Sequence, residues 1–109
     1  MSDLQNEIRE LRERTRRNRH QFLKADTQTC LIAVERGHLE LSLGNTHEAQ
    51  KEFEMANRGA QVIQRFLSEA PDQMPDIEAR LANLKESLES LRVEIFQPHR
   101  RKSVGRAKA

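Results

Sequence analysis

Six large aliphatic residues, Ile77, Leu81, Leu84, Leu88, Leu91 and Ile95, follow one another at alternating steps of four and three, with no polar member among them. Steps of that kind return to one side of an α-helix every two turns, whereas a half-buried strand would need apolar residues at every second position. The segment 75–97 is therefore predicted to be a helix, and its continuous apolar side must be covered by something. Asp76 and Glu78 fall in its first turn, where the helix dipole favours acids, and Pro98 ends it.

The same periodicity organises the rest of the chain. Ala49, Phe53, Ala56, Ala60, Ile63 and Leu67 form a second seam, which places a helix over about 46–70, and Pro71 and Pro75 mark the turn that follows. Upstream, Leu4, Ile8 and Leu11 begin a third seam that continues through Thr15 and Asn18 to Phe22, so its middle is polar. No Gly or Pro occurs from Asp3 to Arg36. That leaves open either one long helix or two helices, about 3–25 and 27–43, with Asp26 capping the second. Glu10→Arg14 and Glu13→Arg17 are spaced to pair along an exposed helix. At Gly44-Asn45 the chain turns: Gly44 can take the left-handed conformation that ends a helix, and Asn45 with Glu48 resembles a capping box. The reading is an all-α domain over 1–97, a bundle of three or four helices, with a basic tail at 98–109 of disordered composition.

Around this turn the residues Gly37, Gly44, Ala49, Phe53 and Ala56 stand at the spacing of a tetratricopeptide repeat, and the stretch of about 30–63 resembles one such repeat. The resemblance implies an antiparallel helical hairpin, with flanking N- and C-terminal helices here, that presents a face or groove to a protein segment. In that pattern Gly37 and Ala49 are small where two helices press together, Gly44 turns the chain and Phe53 fills the gap. Ala33, Arg36 and Glu40 replace the large residues of the family's first helix, and Gln61 stands in place of its closing proline. The three-helix microtubule-interacting and trafficking domain is a second resemblance, sharing a similar hairpin and one further helix.

With 33% charged residues, 4 Phe and no Trp or Tyr, the core is thin and built mainly from Leu and Ala. The net charge of +2 conceals a segregation. Residues 1–24 carry seven bases against four acids, residues 25–96 seven against thirteen, and residues 97–109 five bases and no acid. Arg9, Arg12, Arg14, Arg16, Arg17 and Arg19 crowd one helix and, at about 100° per residue, spread round most of it; Arg100, Arg101 and Lys102 head the tail. Arg12, Arg16, Arg17, Arg19, Arg100, Arg101 and Lys102 are accordingly the candidate contacts for a polyanion such as nucleic acid. No aromatic residue interleaves with them, so base stacking is not indicated.

The longest apolar run, residues 30–34, is far shorter than the ~20 residues a membrane helix needs. The acidic, polar N-terminus is unlike a secretion signal, and a single Cys provides no disulfide framework, so a reducing, cytoplasmic setting with no membrane contact is expected. Glu35 and His38 have the Glu-x-x-His spacing of di-metal bundles, but a site of that kind needs a second such pair. Cys30 sits among Leu31 and Ile32 as a buried thiol would, and no phosphate loop or nucleophile motif is present. Neither an active site, a cofactor nor a metal is expected. The chain reads as a protein–protein interaction or adaptor module, with polyanion binding as the alternative. Ile77, Leu81, Leu84, Leu88, Leu91 and Ile95 are the candidate seam for a homodimer, because the interrupted N-terminal seam makes a poor lid for them.

Overall fold

The computed structural model describes residues 2–70 and 73–97; the basic tail, with Arg100, Arg101 and Lys102, lies outside them. Helix α1 spans Ser2–Ser42, α2 spans Thr46–Glu69 and α3 spans Pro75–Phe96. Among the described residues the fold is all-helical, and it has three helices rather than four.

The first helix continues through Asp26–Thr29 without a break, so Asp26 is an interior residue and not a cap. Thr27 and Thr29 do not interrupt it because their hydroxyls are satisfied along the helix, Thr27 donating to the Lys24 carbonyl at 2.8 Å and Thr29 to that of Ala25 at 3.0 Å. Thr27 can consequently be fully buried.

At the end of α1 two reversed bonds close the last turn, Asn45 N–H to the Glu40 carbonyl at 2.8 Å and Gly44 N–H to that of Leu41 at 3.0 Å. This is the Schellman arrangement, and it requires the left-handed backbone that Gly44 adopts at φ 83°. The capping box expected at Asn45 and Glu48 does not form. Asn45 instead turns its amide back to donate to Glu40 Oε2 at 2.8 Å. Helix α3 starts with Met74 at the cap position and Pro75 next, where a missing N–H costs nothing.

The helices run up, down and up. Helix α2 returns along α1, bringing Phe66 edge-to-face against Phe22 and Gly59 onto the Cys30 sulfur. Helix α3 runs parallel to α1, and two histidine–carboxylate hydrogen bonds mark the register. His20 donates from Nε2 to Asp76 Oδ2 at 2.5 Å, and His38 from Nδ1 to Glu94 Oε2 at 3.1 Å. Both histidines, and both carboxylates, are 18 residues apart, which is five full turns and so the same side of each helix.

All six members of the α3 seam are buried in this bundle, together with Leu23, Val34, Ala49, Ala56 and Ile63. The expectation that this seam is left over for a homodimer is thereby corrected. The long α1 and α2 supply enough apolar surface to cover it, with Gly37 allowing Leu91 to seat directly against the α1 backbone.

Candidate functional site

The bundle occupies only part of α1. Residues 3–18 are exposed throughout, and burial begins at Arg19 and His20 and is complete at Leu23. The molecule measures 77 × 20 × 17 Å, and this half of the helix projects beyond the other two. We refer to residues 3–18 as the arm.

The arm is helical for local reasons: it contains no Gly or Pro, and Asp3 lies in its first turn. Neither Glu10–Arg14 nor Glu13–Arg17 is closed among the ion pairs of the described residues. Its apolar seam has no intramolecular partner: Leu4 is 62%, Ile8 43% and Leu11 60% exposed. The seam reaches the bundle at Phe22, whose ring meets Phe66 edge-to-face with centroids 6.3 Å apart and 63° between planes. From that point on, α2 packs along α1, at Phe22–Phe66 and at Cys30–Gly59.

The arginines divide between sides. Arg9, Arg12, Arg16 and Arg19 follow steps of three, four and three, and so form one stripe beside the apolar seam. With Ile8, Leu11 and Thr15 they line a shallow concavity along the arm. Arg16 and Arg17 also border a small hollow where the arm joins the bundle, next to His20, Met74 and Asp76. The sequence reading, which spread the arginines round the helix, overlooked this stripe, although the spacing that reveals it is the one used for the apolar seams.

The other candidates are placed as follows. Gly37 is buried against Leu91, Ala49 and Ala56 are buried, and Phe53 is half-buried with its ring edge-on to Phe96 at 6.0 Å. Gly37 faces α3 rather than α2, so the small residues of the hairpin motif do not all meet at one interface. A second hollow lies between α2 and α3, floored by Phe53, Ala60 and Leu88 and rimmed by Lys85, Glu89 and Arg92. Its rim is internally satisfied. Arg92 grips Glu89 through two bonds of 2.9 and 2.5 Å, which holds the Glu89 carboxyl below the usual range, and Lys85 donates to Gln64 at 2.5 Å.

Burial, with the nearby Asp26 charge adding to it, pushes the Cys30 thiol upward, which keeps it protonated and unreactive at neutral pH. His38, of the Glu-x-x-His pair, is engaged by Glu94. Among the described residues no three His, Cys, Asp or Glu side chains converge as a metal site would require, and no helix is long and apolar enough to cross a membrane. By architecture the described residues form an all-α three-helix bundle with one helix extended as an arm. It matches no protein-family model, no curated protein and no solved structure.

Proposed function

We propose that this chain is a non-catalytic protein-interaction module, in which a three-helix base holds out one amphipathic helical arm for docking. One observation carries the reading: Leu4, Ile8 and Leu11 form an apolar seam on a helix that the base supports and does not cover. A seam of large aliphatics left bare at helical spacing is what a partner helix buries. The tight Gly44 turn and the buried Ala49 and Ala56 support a tetratricopeptide-like reading of the hairpin within the base. The binding element of the proposal is nevertheless the arm.

A photo-reactive cross-linking residue at Leu11, on the seam, tests this against the same residue at Asn6, on the opposite side. In the full chain expressed in its host, position 11 is expected to capture a polypeptide and position 6 to capture none. Equal capture at both positions, or none at either, overturns the reading.

A second reading, binding of a polyanion, is favoured by the stripe of Arg9, Arg12, Arg16 and Arg19. Affinity for duplex DNA that falls steeply with salt, and that is lost in Arg12→Gln/Arg16→Gln but kept in Ile8→Ala, would establish it. Insensitivity to the arginine substitutions would remove it.

A further inference from the structure

Given the docking-arm reading, on which this rests, we infer that the occupant of the arm is the arm of a second copy of this chain, laid antiparallel to it. The first argument is geometric. The arm's seam reaches the base at Phe22, where it meets Phe66 of α2. Helix α2 runs antiparallel to α1, so the missing neighbour of the arm is a helix in line with α2 and pointing the same way. A second arm laid antiparallel fills that place. Two parallel arms would not, because beyond Phe22 each copy's α2 already stands where the other copy's α1 would continue.

The second argument is register. When Ile8 of one copy lies against Leu11 of the other, and Leu11 against Ile8, Leu4 falls opposite Thr15 at both ends. Every large aliphatic of the arm is then covered. The polar Asn18 stays outside the contact, and about 14 residues of each copy overlap, or roughly 21 Å of helix. The two bases come to rest at opposite ends of the paired arms.

The third argument is charge. Beside the seam, on one edge, the antiparallel register sets Glu7 of each copy against Arg14 of the other. On the other edge it sets Arg12 against the neutral Gln5. No like charges face each other across the contact. A parallel pair would instead oppose Arg14 to Arg19 on both edges. More broadly, Asp3, Glu7, Glu10 and Glu13 lie in the outer part of the arm, while Arg14, Arg16 and Arg17 lie nearer the base without an acid among them. Antiparallel pairing brings the acidic part of each copy over the basic part of the other.

The test is sedimentation equilibrium of the full chain over about 1 to 300 µM, a span that detects weak dimers. The mass is expected to rise from 12.7 kDa towards twice that value with concentration. Ile8→Glu should weaken association by more than about tenfold. It should leave the melting temperature of the base unchanged, because Ile8 lies on the arm and outside the buried core. Glu7→Arg should also weaken association. Adding Arg14→Glu to it should restore the dimer, whereas adding Arg12→Glu should not. Restoration by Arg12→Glu would mean a parallel pair and overturn the inference. So would a single species of 12.7 kDa at all concentrations while circular dichroism shows the arm helical. A dimer that appears only when duplex DNA is added also overturns it. Capture of a different polypeptide at Leu11 by a chain that stays monomeric would leave the docking arm standing and remove only the second copy.

Discussion

Glycine illustrates how local geometry decides a residue in this protein. Gly44 has no neighbour near its Cβ position, so its requirement comes from its left-handed backbone alone. Gly44→Ala is expected to destabilise the base by about 1 kcal/mol, and Gly44→Asn by less, since Asn tolerates that conformation. Urea denaturation of the two variants measures the difference, and equal stability of Gly44→Ala and wild type would contradict it. Gly37 is different, because a Cβ there would stand 2.6 Å from Leu91 Cδ2. Leu91 is fully buried and has little room to swing aside. Overpacking of about 1–3 kcal/mol therefore outweighs the gain of about 1 kcal/mol in helix propensity, and Gly37→Ala should be less stable than wild type. In the Leu91→Ala background the same substitution should become neutral or stabilising. A double-mutant cycle reads that coupling, and additivity would refute the contact. Sequence spacing picked out both glycines but assigned Gly37 to the wrong helix pair, because a small residue announces a close approach without naming what approaches.

At the scale of elements, what could be read from the sequence was periodicity, and what could not was pairing. The seams of α2 and α3 and the turn at Gly44 were visible as spacing. Continuity of α1 was not, because Thr27 and Thr29 are poor helix formers whose hydroxyl bonds to Lys24 and Ala25 appear only in three dimensions. Nor does spacing say which of three seams stays bare; that depends on helix lengths and on α1 outrunning its neighbours. The outcome separates two otherwise similar leucines. Leu84→Ala, in the covered seam, should cost about 2–5 kcal/mol, and Leu11→Ala, in the bare one, within about 0.5 kcal/mol at concentrations where the chain is monomeric. The α1–α3 contact also has a pH signature. A hydrogen bond from His20 is the main cause that holds the Asp76 carboxyl below its usual range. A carboxyl lowered on folding stabilises the fold above its unfolded pKa, and that contribution is lost as pH falls through the lowered value. Asp76→Asn should thus melt lower than wild type near pH 6, and the gap should close below about pH 4. A gap that persists or widens in acid would assign the effect to something other than this carboxylate.

Taken whole, the molecule joins a base with a buried core to an arm whose residues 3–18 are all exposed. The Cα radius of gyration is 19.4 Å, well above the roughly 13 Å of a compact chain of about 100 residues. The long axis of 77 Å far exceeds the other two extents of 20 and 17 Å, and the arm adds about 24 Å of helix to it. Core residues begin at Leu23, and the first hydrogen bond from α1 to α3 is made by His20. Deleting residues 2–18 should therefore leave the base folded with its melting temperature nearly unchanged. Helical ellipticity should fall in proportion to the residues removed, and the radius of gyration in solution should drop to about 12–14 Å. Small-angle scattering and thermal melts of the two chains at low concentration measure these quantities together. A large loss of melting temperature would show that the arm folds back onto the base. An unchanged radius would show that it never projected, and either result would take away the surface on which the docking proposal stands.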